Sequence, residues 1–429
     1  MWGWILACRS PAEPPPAPVE PAPFGALAFD GAPPTNLIVL SLDTTRRDHL
    51  GAFGGVVTTP LLDARLEGGL RLLDHRSCSN WTAPSMACAT TGRSPWELGF
   101  WPGTSDDEVP GFPRAIPSLA RVLGQAGYDT RLVTGNAVFS SALAADGFRR
   151  ETVRDYGGAK ELTELALAEA EELGDGPFYL HVHYMDPHQP FCPPEEVAPA
   201  PGSFPNVGVD PCDGLQDAVA EWDSHDDTWR AAVLEGADAF YRAELGWFDL
   251  QLDTLWEGLD GAGLLDDALV VFHTDHGEQL MERGVLDHGF ELHAEENRAA
   301  AAFWARTLAP GTVETPTSHE DLGATTFAVL GHAPAVPPSG FVVGSAPEGR
   351  VRRLFAYSRY DHGAPQLGIV RGGTVALADW GGAPGAWDTE ADPAELLPPR
   401  PPDDDVAAEL SRFAEELRAT WPHLGGPGF

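Results

Sequence analysis

The chain has 429 residues, 43% of them hydrophobic, with 64 acidic against 27 basic side chains and a formal net charge of −37. That length suits one large domain plus a small one. The acidity argues against nucleic acid as a partner, because phosphate backbones are held by basic clusters, and it requires any anion site to be local. The basic set holds a single lysine, Lys160, in the amphipathic stretch "GGAKELTELALAEAEEL". Lysine chemistry is therefore nearly excluded from a reaction centre.

The amino terminus reads "MWGWILACRS", in which "ILAC" is similar to a lipobox ending in Cys8. The apolar stretch before it is short and lacks a positive region. "PAEPPPAPVEPAP" follows, a proline-rich spacer that cannot pack into a domain. These features predict a signal remnant over 1–8, a linker over 9–34 and a membrane tether through Cys8. They place the protein in the cell envelope, as a lipoprotein or as a periplasmic or secreted protein; a cytoplasmic protein is the alternative. The other cysteines are Cys78, Cys88, Cys192 and Cys212. Their even number permits two disulfides. A Cys192–Cys212 bridge is expected to staple a glycine- and proline-rich loop, and Cys88 is expected as a buried free thiol.

The folded part is expected to begin near Thr35. "NLIVLSLD" (36–43), "TRLVTG" (130–135), "FYLHVHYMD" (178–186) and "ALVVFHTD" (268–275) are apolar runs that read as buried parallel strands. Helical patterns lie between them at 116–127, 161–174 and 231–263. Alternating strands and helices predict an α/β domain over 35–345, with a mostly parallel central sheet flanked by helices. From 346 to 429 the pattern changes to short glycine-punctuated β segments and an amphipathic final helix. A small C-terminal antiparallel sheet closed by a terminal helix is expected there.

Three of the strands end in polar clusters: Asp43; His183 with Asp186 and His188; Asp275 with His276. Ligands of open α/β sheets sit beyond the carboxyl ends of the strands, so these clusters should converge. Two carboxylates and an imidazole suit one divalent cation. His183 alternates with His181, so one of the two is expected to face away from the site. His188, past the strand end, suits an anion donor. His288, in "LDHG", suits contact with substrate oxygens or a leaving group. His293 is read as structural.

"NLIVLSLDTTRRDHLGAFGG", "WTAPSMACATTGRSPWELG", "HVHYMDPHQPFCPP", "VVFHTDHGEQLMERGVLDHG" and "AWDTEADPAE" occur in that order. Together they resemble the motifs of the sulfatase family, in the alkaline phosphatase superfamily, over roughly residues 35–420. The resemblance implies Asp43, Thr82, Asp275 and His276 as ligands of one divalent metal ion, of calcium, magnesium, manganese or zinc. It implies Thr82, His188 and His288 as catalytic residues and His183, Asn136 and Arg93 as substrate contacts.

The chain departs from the family's pattern at the nucleophile. Sulfatases carry an oxidisable cysteine or serine in a Cys/Ser-x-Pro-x-Arg motif, whereas this chain reads Thr82-Ala83-Pro84-Ser85-Met86. Threonine cannot become the formylglycine aldehyde, because its carbinol carbon already bears a methyl group. A metal-bound threonine can instead attack an ester directly. Asn136 stands where an active-site lysine would fall, and Thr44 where a second aspartate is frequent. The expectation is a metal-dependent hydrolase or transferase of phosphate or sulfate esters. Its substrate would be a small anionic ester or a glycan- or lipid-linked one. The alternatives are an inactive envelope binding protein of the same fold and a two-zinc phosphodiesterase.

Overall fold

Runs of β-branched and aliphatic residues with both faces apolar form the centre of the sheet, as buried parallel strands require. In the computed structural model, which describes residues 24–100, 116–139, 147–199, 209, 212, 214–356, 365–380 and 382–421, eight strands make that sheet. They are β1 (Asn36–Leu42), β2 (Leu70–Leu72), β3 (Asp129–Thr134), β4 (Arg150–Val153), β5 (Phe178–Tyr184), β6 (Ala268–Thr274), β7 (Ala301–Trp304) and β8 (Gly311–Val313). Their order across the sheet is β8-β2-β7-β6-β1-β5-β3-β4. Only β7 runs against the others. The four strands expected from the sequence form its middle; β2, β7 and β8, which were not expected, extend one side.

Helices cover both faces. They are α1 (Pro60–Glu67), α2 (Thr82–Thr91), α3 (Leu119–Gln125), α4 (Ala159–Glu171), α5 (Asp227–Gly261) and α6 (His319–Leu330). Alternation along β1 divides the core between them. Ile38, Leu40 and Leu42 pack with Leu162 of α4 and Leu252 and Trp256 of α5. Leu37 and Val39 pack with Leu119 of α3 and Leu322 and Phe327 of α6. Each such side chain contributes about 1.5–3 kcal/mol on burial.

The C-terminal part is a meander of β9 (Val351–Ala356), β10 (Gln366–Arg371), β11 (Thr374–Asp379) and β12 (Gly385–Asp388), closed by α7 (Asp404–Thr420). Its ladders are antiparallel throughout, as expected. It packs on α2: Trp81, Ala83, Met86 and Ala87 share a core with Ile369, Phe413 and Leu417. All ten residues of α2 are buried, so the helix that bears Thr82 is clamped between the two sheets.

Three expectations need correction. The folded chain begins before Thr35: Leu27 is buried, Ala26 N–H donates to Val343 O, and Phe29 bridges Leu308. Apolar Phe24, Leu27 and Phe29 pack into the core that holds Leu308 and Val343. Cys8 and residues 9–23 lie outside the described residues. Cys88 is not a free thiol; it is bonded to Cys78, while Cys192 and Cys212 form the other disulfide. His181 and His183 share one face, because residues two apart on a strand do so. Both rings hydrogen-bond Ser41 Oγ, at 2.9 and 2.8 Å. No helix among the described residues is long and apolar enough to cross a membrane.

Candidate active site

The carboxyl ends of four adjacent strands and the first turn of α2 meet at one point. Asp43 follows β1, Asn136 follows β3, His188 follows β5, and Asp275 and His276 follow β6. Thr82 opens α2, whose first N–H groups have no side-chain cap. An uncapped helix start with a positive dipole end favours an anion there.

Thr82 Oγ1 lies 3.4 Å from Asp43 Oδ2 and 3.5 Å from His276 Nε2. Asn136 Nδ2 donates to Asp43 Oδ2 at 2.7 Å and reaches Thr82 Oγ1 at 3.3 Å. The amide is oriented by its own oxygen, which accepts from the N–H groups of Val138 and Phe139. Thr44 N–H and His276 N–H both donate to Asp275 Oδ1, at 3.2 and 2.7 Å. Thr44 does so from the left-handed region, φ 46°. That conformation is rare for a β-branched residue and costs on the order of 1–3 kcal/mol. Tyr241 holds it by donating to Thr44 O at 2.8 Å and accepting from Arg46 N–H. Gly277 is required next: a Cβ there would stand 1.9 Å from Glu295 O.

The donor set fits one cation. Asp43 Oδ1 and Asp275 Oδ2 are buried and make no hydrogen bond among the described residues. His276 donates from Nδ1 to Gly277 O at 2.9 Å, so its Nε2 carries a lone pair. That lone pair faces Asp43 Oδ1 at 3.6 Å and Asp275 Oδ2 at 3.4 Å. Two buried carboxylates and a lone pair turned on one another repel unless a positive charge lies between them. The pKa directions agree. Burial and the Asp43 charge push Asp275 well up. Burial opposes ionisation of Asp43 too, but the His183 hydrogen bond and the electrostatic pull of the neighbouring imidazoles hold it low. Burial and the His288 charge drive His276 well below its ordinary value.

A second group stands beside the first. The His288 ring lies 4.4 Å from His276 and 5.1 Å from His188, centroid to centroid. Its Nδ1 meets Asp287 Oδ1 at 2.9 Å and Glu278 Oε1 at 3.4 Å. Burial works against protonation, but the two carboxylates outweigh it and raise His288 well above its ordinary value. Burial pushes Glu278 up to about 7. Glu296, pushed up to about 8 by burial, accepts from the N–H groups of Gly289, Phe290 and Glu291, from Gln279 and from Asn80. It thereby ties the His288 loop to the chain entering Thr82. His188 donates from Nδ1 to Gln189 O at 2.6 Å, and burial lowers its pKa. A cavity of about 180 Å³ is lined by Thr82, Asn136, Asp155, Tyr156 and His188 among others.

Thr82, Asp43, Asp275, His276, Asn136, His188 and His288 are thus brought together. His183 is wholly buried, with Nε2 3.3 Å from Asp43 Oδ2, and it offers a ring nitrogen within 4.8 Å of carboxylate oxygens of both Asp43 and Asp275. One expected contact stands apart. Arg93 lies past the far end of α2, about 15 Å of helix from Thr82. It is tied there to Pro337 O and Glu97. Met86, four residues after Thr82, is buried in an apolar cluster and supplies no charge. His293 faces Glu395, at 3.3 Å, away from the site. The sequence reading missed Glu278, Asp287 and Glu296; the "DHGE" run held a signal for the first.

A family profile described as Sulfatase matches residues 35–332. Human arylsulfatase A is 26% identical over 407 residues, covering 85% of this chain and 78% of that protein. The fold matches that of a protein solved with its substrate D-glucosamine-2-N,6-O-disulfate, at TM-score 0.72 and 17% identity, over 91% of this chain and 98% of the other. It also matches the phosphonate monoester hydrolase of Agrobacterium radiobacter, at TM-score 0.66 and 19% identity, over 90% and 95%. With the profile spanning most of the α/β domain and the strand-end residues converging as above, the chain belongs to the sulfatase family and to its ester hydrolases.

Proposed function

We propose that this chain cleaves a phosphate ester with Thr82 as its nucleophile, at one divalent cation held by Asp43, Asp275 and His276. The observation that carries this reading is the convergence of Thr82 Oγ1, two hydrogen-bond-free carboxylate oxygens and the His276 lone pair. When bound, the cation would lower the Thr82 hydroxyl pKa and polarise the ester oxygen. A phosphate ester is favoured over a sulfate ester by the nucleophile. A formylglycine hydrate sheds sulfate through its second hydroxyl, which threonine lacks, whereas a phosphothreonine can be hydrolysed by water at phosphorus.

Each of this chain's residues has a place in that reaction. Thr82 Oγ1 gives its proton to His188 as it attacks phosphorus, the ester P–O bond breaks, and the leaving oxygen takes a proton from the His288 imidazolium. Water then attacks the phosphothreonine, losing its proton to the now neutral His288, and the P–Oγ1 bond breaks to release phosphate while His188 returns its proton to Oγ1. Asn136 orients Asp43 and Thr82, and the α2 amino terminus receives the non-bridging oxygens. The substrate class is a small anionic ester or a glycan- or lipid-linked one. Tethering through Cys8 would place the enzyme in the cell envelope; acyl labelling that survives Cys8→Ser overturns that part.

The decisive experiment assays phosphomonoester, phosphodiester and sulfate-ester chromogens in parallel, with metal analysis of the same preparation. Thr82→Ala should lose several orders of magnitude in kcat, as removal of a nucleophile does. Thr82→Ser should retain turnover, because the hydroxyl remains. Wild-type rates from Thr82→Ala sink the mechanism.

A further inference from the structure

Away from this centre, a cavity of about 210 Å³ opens between the loop after β1 and residues 294–298. Three arginines, Arg46, Arg47 and Arg298, line it together with two carboxylates, Asp48 and Glu295, in a chain with more than twice as many acids as bases. Arg46 is satisfied by Asp48 and Glu282. The other two are not satisfied by any carboxylate. Arg47 donates from Nη2 to Leu73 O at 3.0 Å, and its Nε is buried with no hydrogen bond. Arg298 donates from Nη1 to Pro393 O at 3.2 Å. Among the described residues neither has a carboxylate oxygen within 4.0 Å.

The carboxylates nearby are already committed. Asp48 pairs with Arg46 at 2.7 Å, Asp74 with Arg352 at 2.9 Å, Glu295 with Arg283 at 3.2 Å, and Glu395 with buried Arg76. Two guanidiniums are therefore left over at one cavity wall. The surplus is felt locally: burial and the charges of Arg76 and Arg47 hold Arg298 down at about 10, and burial also lowers Arg47.

We propose that this cavity is a second anion site, which takes one sulfate, phosphate or carboxylate group between the Arg47 and Arg298 guanidiniums. A guanidinium offers a planar fork matched to two oxygens of such a group. Arg46 forms the third wall, and its N–H reaches Tyr241, which holds Thr44 beside Asp275. The site is thus adjoined to the active centre without sharing a residue of its donor set.

Isothermal titration of chelator-treated protein with inorganic sulfate, inorganic phosphate and acetate, each at constant chloride, tests this. Chelation removes anion binding that depends on the active-site cation. The wild type should show one saturable site. Arg298→Gln should weaken it about tenfold or more, as loss of a charge-assisted pair does. The double variant Arg47→Gln/Arg298→Gln should abolish it while the metal-loaded form still hydrolyses ester. Tighter binding of a sulfated monosaccharide than of sulfate would assign the site to a second charged group on the substrate; equal binding would assign it to the free ion. Arg298→Lys keeps the charge but loses the fork, and should bind with intermediate affinity if the glutamine variant does not fold. No binding above the chloride background, or binding unchanged in the double variant, overturns the proposal.

Discussion

Two clusters of buried charge, at the strand ends and at the junction with the C-terminal sheet, are settled in opposite ways. At the junction the charges are matched. Arg352 meets both oxygens of Asp74, at 3.0 and 2.9 Å, and also donates to Asp74 O and Thr317 O. Arg76 pairs with Glu395, both buried, and Arg353 reaches Glu409 and Glu416 on α7. At the strand ends Asp43 and Asp275 are equally buried but keep oxygens with no hydrogen bond among the described residues. Matched charges fasten one part of the chain to another. Unmatched ones are stable only with a ligand that supplies the missing charge.

The sharpest break of this contrast is Asp275→Asn. Activity should fall by several orders of magnitude. Yet in chelator the variant should melt higher than wild type, because one of two repelling carboxylates is neutralised, by roughly 1–3 kcal/mol. Thermal melting of metal-free protein checks this, and a lower melting point refutes it. Glu395→Gln should do the reverse. It leaves Arg76 buried without its partner and should cost about 3–5 kcal/mol, with turnover per folded molecule unchanged. Denaturant unfolding and an active-site titration separate the two.

The same pair sets an acid limit. Burial raises Glu395, but Arg76 and His293 outweigh it and hold its carboxyl at about 2, below its ordinary 4.5. A depressed acid stabilises the fold fully above its unfolded pKa. That stability is lost as pH falls from about 4.5 towards 2, and linkage makes it about 3 kcal/mol. Wild-type stability should drop across that window, and Glu395→Gln should drop less. Reduction of Cys192–Cys212, which spans 20 positions, should cost about 3 kcal/mol by loop entropy. The contact nearest that bridge is the Cys192 N–H bond to Glu244, and amide exchange at Cys192 should rise with reduction. The smallest effect belongs to Arg93→Ala. Its contacts are structural and partly exposed, so it should lose at most about 1 kcal/mol and leave kcat intact. A large fall in kcat would return Arg93 to the site.

The sequence by itself determined the local features. Continuous apolar runs named the four central strands, and the polar residues closing them marked Asp43, Asp275 and His276 as candidates, because strand periodicity and strand ends are properties of a few adjacent residues. That residue 82 is a threonine, with a methyl already on its carbinol carbon, is likewise legible in the sequence alone. Only the tertiary structure decided which charges are matched. Thr44 and Asp275 meet across 231 positions, and Arg76 and Glu395 across 319. It also set His183 against Asp43, carried Arg93 to the far end of α2, and bonded Cys88 to Cys78. Glu278 and Asp287 read as ordinary polar residues until the fold set them against His288. Charge compensation depends on distance in space, and distance in space is what the whole packed chain sets.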